Sequence, residues 1–285
     1  MEDLHIHMVL DGVDFRAAIG AHRAHPRDEL IRKRLADYAA AGITLLRDGG
    51  DAWGVGLRTK ELAPEYGIDY RSPAFPIYKS GHYGSFIGIG WADWAEYALL
   101  LNRAKALGAD FIKLMISGLM DFNQFGVLTQ PSLEREEIIR LISMAHDAGF
   151  CVMVHCNGTQ ATLAAVEAGV ESVEHGAYLH DEACCALAES DAVWVPTLST
   201  IGNLIGNGRF PDEVLKKILT GAMANVRRVA DLGGKIALGS DAGAYCVPHN
   251  TGFRTERQWL SRALGENTDA ILADGCKTIA QKFQR

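Results

Sequence analysis

The stretch FCVMVHCNGTQATLAAVEAGVESVEHG, residues 150–176, predicts a strand, a helix and a second strand, with a histidine at the end of each strand. The apolar runs Phe150–His155 and Val170–His175 have the length of buried strands, and Ala161–Ala168 between them is helical and ends at Gly169. Two strands joined through one helix are expected to lie parallel, with a right-handed crossover. Repetition of such units along a chain indicates the α/β class.

The same alternation runs from one end of the sequence to the other. The predicted strands are Asp3–Leu10, Ile43–Arg47, Tyr70–Tyr78, Asp110–Ile116, Phe150–His155, Val170–His175, Ala192–Leu198 and Lys235–Leu238. The predicted helices include Asp28–Ala41, Arg58–Tyr66, Trp94–Leu107, Glu134–Ala148, Ala161–Ala168, Asp181–Glu189 and Asp212–Leu232. Eight such units favour a closed (β/α)8 TIM-type barrel over an open sheet, and such a barrel needs about 250 residues. We therefore expect residues 1–285 to form a single domain.

The composition is that of an ordinary globular protein, with 48% hydrophobic residues and a formal net charge of −7. The negative charge argues against a general affinity for nucleic acid or an anionic membrane. No apolar run approaches the roughly 18 residues of a membrane span. Six cysteines without a C-x-x-C pair are expected to be reduced thiols. With no basic segment and apolar core at the start, we expect a cytoplasmic protein that acts on a small molecule.

Polar residues fall at several predicted strands, where the active site of a (β/α)8 barrel is built. These residues are His5, His7, Lys113, His155, His175 and Asp241. Each has an ordinary explanation alone, because a strand-end histidine is often a hydrogen-bonded structural residue and an aspartate often caps a helix. Lys113 lies in the apolar run 111–116, where a buried ammonium is costly unless it is paired or chemically altered; the alternative is an outward orientation. The joint pattern predicts one site at the barrel mouth.

The segments around these residues resemble the amidohydrolase superfamily, in the order in which that family uses its metal ligands. They are Phe111–Lys113, Val154–Thr159, Ser172–Gly176 and Gly239–Gly243, together with the His5-x-His7 pair. They are most similar to the imidazolonepropionase-related hydrolases, and especially to the branch of Xaa-Pro dipeptidases (prolidases). The deaminase branch fits less well, because it generally lacks a bridging lysine and carries a glutamate after the fifth-strand histidine.

The resemblance implies a metal site with two divalent ions, usually Zn²⁺. One metal would be held by His5, His7 and Asp241, the other by His155 and His175, and both would be bridged by N6-carboxylated Lys113. A hydroxide between the metals would be the nucleophile. Asp241 would accept its proton and later donate one to the leaving amine.

Four further residues are candidates by position. His82, after the third strand, resembles a prolidase-like segment that would hydrogen-bond the substrate carbonyl or the oxyanion, and Tyr178 is expected to assist. His249 and Arg254 follow the eighth strand, where family members bind the distal end of the substrate. An arginine there would grip a carboxylate with two parallel hydrogen bonds. Structural roles for His82 and Tyr178 and a surface position for Arg254 are the alternatives.

Most relatives carry a small β-sandwich beside the barrel, whereas only four residues precede His5 here. We therefore expect the sandwich to be lacking, either in a natural minimal form or through truncation. Truncation would expose apolar surface on the barrel flank and favour a homo-oligomer.

Three functions remain open at this point. The first is hydrolysis of an amide bond in a small carboxylate-bearing substrate, a dipeptide or an N-acyl amino acid. The second is hydrolysis of a cyclic amide, a carbamate or an ester, because specificity lies in loops without a readable motif. The third is a metal-binding barrel with little or no turnover, owing to truncation.

Overall fold

The computed structural model describes residues 1–284, in which parallel strands alternate with helices. The strands are β1 (Glu2–Ile6), β2 (Leu45–Asp48), β3 (Asp69–Arg71), β4 (Pro76–Lys79), β5 (Ile89–Trp91), β6 (Ile112–Met115), β7 (Val152–Cys156), β8 (Ser172–His175), β9 (Val193–Val195) and β10 (Lys235–Ile236). The α-helices are α1 (Phe15–His22), α2 (Asp28–Ala40), α3 (Val55–Leu62), α4 (Trp94–Ala106), α5 (Arg135–Asp147), α6 (Thr159–Glu167), α7 (Asp181–Glu189), α8 (Ser199–Gly202), α9 (Asp212–Asp231), α10 (Gly252–Leu264) and α11 (Thr268–Lys282). Within these residues no helix combines the length and the apolar character needed to cross a membrane.

The strands close into a barrel. Strands β1, β2 and β3 pair in that order, and the other strands follow the order β10-β9-β8-β7-β6-β4-β5. The two sets join on one side because Leu4 N donates to Leu238 O at 2.9 Å and Asp241 N donates to His5 O at 2.7 Å. They join on the other side through Asp110 N, which donates to Ser72 O at 2.9 Å. This arrangement confirms the predicted (β/α)8 TIM-type barrel.

The third barrel strand differs from its prediction. The predicted run 70–78 is divided into β3 and β4, which are separated by residues 72–75. Pro73 has no backbone N–H to donate to a neighbouring strand, and Ala74 has a positive φ of 64°. The third position of the barrel is therefore made by two short strands in succession. Strand β5, which pairs with β4 beside the barrel, was not predicted.

One end of the barrel interior is closed by apolar side chains. A compact cluster of buried residues combines the strand residues Leu4 and Met153 and the neighbouring Phe111 with Ile279 and Phe283 of the C-terminal segment. The rings of Phe111 and Phe283 meet edge to face, with their centroids 5.2 Å apart. Within residues 1–284 the strands all belong to the barrel or to β5 beside it.

Candidate metal centre

Four imidazole rings converge at the carboxyl ends of the barrel strands. The ring centroids of His155 and His175 are 4.5 Å apart, those of His5 and His175 are 5.1 Å apart, and those of His5 and His7 are 5.4 Å apart. Asp241 joins them from the segment after β10, with Oδ1 3.4 Å from His7 Nε2. The structure thus brings these predicted residues together in one buried cluster.

A β-bulge in β1 sets the direction of its histidines. The register between β1 and β2 shifts from Asp3↔Leu46 to Ile6↔Asp48, so β1 has one residue more than its partner over this interval. Leu4 packs in the apolar cluster that closes the barrel, and the next residue, His5, packs against His7 and His175 in the metal centre, so two consecutive residues of β1 lie inside the barrel. A bulge commonly re-aims a side chain next to an active site in this way.

Lys113 lies inside this cluster and not between the barrel and its helices. Its side chain is 1% exposed, and Nζ has no hydrogen-bond partner among the described residues. Burial lowers the pKa of Lys113, because a charged amine loses its hydration there. Burial also lowers the pKa values of His7 and His155, which keeps these imidazoles neutral and able to bind a cation.

The donor atoms fit a divalent metal. One ligand atom from each of His5, His175 and Asp241 lies within 4.8 Å of the other two. Among the described residues, His5 Nε2 and Asp241 Oδ1 are buried without a hydrogen-bond partner. Buried polar atoms without partners cost free energy, so their presence calls for a ligand. Mixed nitrogen and oxygen donors suit Zn²⁺.

The amine of Lys113 also fits the N6-carboxylated lysine that the sequence motifs imply. An ammonium ion buried with no hydrogen-bond partner would be unfavourable. Carboxylation at Nζ would convert this cation into an anion with two oxygen donors, which a pair of divalent ions would balance.

A buried ion pair orients His5 from behind. Glu174 Oε2 lies 2.8 Å from His5 Nδ1, and Glu174 Oε1 accepts a hydrogen bond from Arg47 Nη2 at 2.8 Å. Ser172 Oγ donates to the same Glu174 oxygen. Because Glu174 accepts a hydrogen bond from Nδ1–H of His5, His5 presents Nε2 to the metal centre. This arrangement is common to metal-binding histidines.

Two of the other imidazoles, those of His155 and His175, have comparable partners. His175 Nδ1 lies 2.7 Å from Thr197 Oγ1, which leaves its Nε2 for the centre. His155 Nε2 lies 3.3 Å from Gly118 O, so His155 presents Nδ1 instead. Asn157 Nδ2 also donates to Gly118 O, at 3.0 Å. The orientations of His5, His155 and His175 are therefore fixed by residues outside the ligand set, whereas His7 Nδ1 is buried without a hydrogen-bond partner among the described residues.

Two of the clustered residues have left-handed backbones. His175 has a φ of 68° and Asp241 a φ of 57°, a conformation that non-glycine residues adopt rarely. His175 is the last residue of β8, and Asp241 lies in the segment after β10. Such strain persists only where the surrounding structure enforces it, and it concentrates at functional sites.

Glu174 and Arg47 are functional residues that the sequence analysis did not identify. Glu174 was quoted within a motif but received no role, and Arg47 appeared only as the end of a predicted strand. The signal was present, because each is a charged residue in a short apolar strand, as Lys113 is. Their pairing was not visible, because 127 residues separate them in the sequence.

Gly49 gives a prediction about the position of His7. A Cβ atom at Gly49 would lie 2.3 Å from His7 Cε1, so Gly49→Ala must displace the imidazole. We expect this variant to bind Zn²⁺ about tenfold more weakly or worse, measured by competition with a chelator. Gly20→Ala is the control, because Gly20 has no atom within 4 Å of that position. Unchanged metal affinity in Gly49→Ala would exclude His7 from the metal site.

A cavity of about 660 Å³ opens from the metal centre. His7, His175 and Asp241 line its inner end. The remaining lining is mostly apolar, a common feature of small-molecule sites, in which a few polar groups fix the orientation of the ligand. Tyr83 also lines this cavity, and its ring centroid is 4.8 Å from that of His155.

The predicted catalytic candidates His82 and Tyr178 occupy different surroundings. His82 is half-buried and precedes Tyr83, and Tyr178 packs edge to face on Phe125 with their ring centroids 5.5 Å apart. Neither is among the described residues that line the cavity. Their roles toward substrate stay predictions.

The predicted substrate-binding residues also lie apart from the cavity lining. His249 is buried, with Nδ1 2.9 Å from Tyr38 Oη and Nε2 2.9 Å from Leu10 O. Both ring nitrogens are thus engaged within the protein, and burial lowers the pKa of His249 to about 3. Arg254 is exposed on α10 and lines a second cavity together with Met1. This arrangement suits His249 as an anchor of its loop and Arg254 as a surface residue. Their contacts with substrate stay predictions.

Comparison with known proteins gives one family and several similar structures. The family model for the amidohydrolase family matches residues 83–271, more than half of the chain. A Xaa-Pro dipeptidase with bound methionine in its active site is 21% identical with a TM-score of 0.76, over 99% of this chain and 75% of that one. The ochratoxinase of A. niger is 19% identical with a TM-score of 0.79, over 97% of this chain and 70% of that one.

A third similar structure is a prolidase complexed with N-methylphosphonate-L-proline. It is 21% identical with a TM-score of 0.73, over 97% of this chain and 74% of that one. At these identities the likenesses show the fold. No curated protein sequence matches the chain.

Proposed function

The chain belongs to the amidohydrolase family, which confirms the resemblance seen in its motifs, and on this premise we propose that it hydrolyses an amide bond in a small carboxylate-bearing substrate. The proposed substrates are dipeptides or N-acyl amino acids. The observation that carries the proposal is the amine of Lys113, buried among four imidazoles and a carboxylate without a hydrogen-bond partner in the described residues. Its surroundings favour the carboxylated form over a free amine.

The proposed metal centre contains two divalent ions, with Zn²⁺ as the preferred metal. One ion would be held by His5, His7 and Asp241, the other by His155 and His175, with carboxylated Lys113 between them. When bound, the ions would polarise the scissile carbonyl and activate water as the nucleophile.

Asp241 would move the proton in this reaction. Its carboxylate would accept a proton from the attacking water and then donate it to the leaving amine, which makes the amine a better leaving group. In the metal-free protein burial raises the pKa of Asp241, because a charged carboxylate loses its hydration there. The apolar walls of the cavity would exclude bulk water from the reacting groups.

The test is a hydrolysis panel on the metal-loaded protein. Dipeptides, N-acyl amino acids, cyclic amides, carbamates and esters are compared by release of product. We expect turnover of the first two classes, its loss when a chelator removes the metal, and its return when Zn²⁺ is added. Asp241→Asn keeps the size of the side chain and removes the base, and it should lower kcat by about 100-fold or more.

Two outcomes would contradict the proposal. Faster turnover of cyclic amides, carbamates or esters than of any linear amide would assign the second substrate class instead. Tight binding of metal with no turnover of any substrate would identify a metal-binding barrel and overturn the assignment as a hydrolase.

A further inference from the structure

The cavity beyond the metal centre has an aromatic wall, formed by Phe15, Phe86, Phe122, Phe210 and Tyr245. Its rings pack in pairs from separate segments of the chain. The centroids of Phe15 and Phe86 are 5.9 Å apart, and those of Phe122 and Phe210 are 5.3 Å apart. A wall of this kind offers a large apolar surface to a ligand that reaches it from the metal centre.

Arg209 lies against this wall and lines the cavity. Its guanidinium carbon is 4.4 Å from the Tyr245 ring centroid and 5.3 Å from that of Phe210. Many exposed arginines of this protein form ion pairs, as Arg257 does with Asp269. Arg209 pairs with no carboxylate in the part of the chain that the structure describes. Its planar fork of N–H donors is thus available to an anionic ligand.

The loops that carry Arg209 and Tyr245 are fastened to each other. Asn203 Nδ2 donates to Cys246 O at 3.0 Å, which joins the segment after α8 to the segment after β10. Within the first segment, Arg209 N donates to Asn207 Oδ1 at 2.9 Å. These bonds fix the backbone of the loops that carry Arg209 and Tyr245 before a ligand binds, which lowers the entropic cost of binding.

Arg16 is the second cation of this cavity. Its guanidinium carbon lies 5.3 Å from the ring of the adjacent Phe15 and contacts no other ring in the described residues. The carboxylate of Asp14, which also lines the cavity, is engaged as the N-cap of α1 by Arg16 N and Ala17 N. Arg209, held by rings from two segments, is therefore the better oriented anion-binding group.

We propose that Arg209 binds the carboxylate of the substrate while the aromatic wall receives its side chain. The substrates are then dipeptides or N-acyl derivatives in which the amino acid with the free carboxylate has a large apolar, chiefly aromatic, side chain. This inference rests on the proposed function, since it assigns the far end of the same cavity.

The test measures binding of a ligand that the enzyme cannot cleave. The probe is 3-phenylpropanoate, and its affinity for the metal-loaded protein is measured by calorimetry. The comparison compounds are the uncharged 3-phenylpropanol and butanoate, which lacks the ring. We expect Arg209→Gln to weaken binding of 3-phenylpropanoate by about 10- to 100-fold and that of 3-phenylpropanol hardly at all. In the protein without substitutions, butanoate should bind more weakly than 3-phenylpropanoate.

The matched control is Arg262→Gln. Arg262 also stacks on an aromatic ring, at 4.4 Å from Trp259, but lies outside this cavity, so its replacement should leave the affinity unchanged. Unaltered binding in Arg209→Gln, or a loss in Arg16→Gln instead, would overturn the assignment of Arg209. Because the probe needs no turnover, failure of the hydrolysis panel and failure of this binding test are separate results.

Discussion

Replacing Lys113 with methionine is expected to lower the divalent metal from about two ions per chain to one or none, and to reduce turnover by about a thousandfold. Methionine has a similar length and is apolar, so it removes the bridging group without placing a new charge in the barrel. Because Nζ has no hydrogen-bond partner among the described residues, the metal-free variant should be as stable as the metal-free protein without substitutions. Elemental analysis and thermal unfolding measure the two quantities.

Two comparisons separate a bridging lysine from a structural one. Lys216→Met removes an exposed lysine of α9 and should change neither metal content nor turnover. Lys113→Ala leaves space for a small carboxylate, so added propionate should restore part of the metal content if a carboxylated lysine supplied the oxygen donors. Retention of two ions by Lys113→Met would show that this residue is not a ligand.

The alternation of strands and helices could be predicted because the strands are buried on both faces and appear as continuous apolar runs. The same property made Lys113 conspicuous, since it is a lone charge within such a run. The sequence did not show that the predicted third strand is divided into β3 and β4, because the interruption depends on the local backbone at Pro73 and the left-handed Ala74. Nor could it show the bulge in β1, which depends on register with β2.

Residues on loops were harder to assign than residues on strands. Arg254 was expected to contact substrate because it follows the eighth strand, yet the structure places it on α10 beside a second cavity. Arg209, which does line the cavity at the metal centre, lies in an irregular segment. Loop residues have no period that predicts their direction, and their position depends on tertiary contacts such as the bond from Asn203 to Cys246.

Glu174→Gln is expected to have two effects of different origin. The variant leaves the buried Arg47 without its anionic partner, which should lower the free energy of unfolding by about 3 kcal/mol in the metal-free protein. It also removes the carboxylate that accepts from His5 Nδ1 at 2.8 Å. We expect the affinity for Zn²⁺ to fall by about 10- to 100-fold, because the imidazole loses both its fixed orientation and part of its basicity.

A double variant distinguishes the two effects. Arg47→Met combined with Glu174→Gln removes the unpaired charge, and replacing a whole buried ion pair with neutral groups often restores stability. The metal affinity should remain low in this double variant, because His5 still lacks its carboxylate. If chelator competition showed that affinity recovers together with stability, Glu174 would be a structural residue only. Persistence of weak binding in a stable barrel would establish that Glu174 positions His5 for the metal.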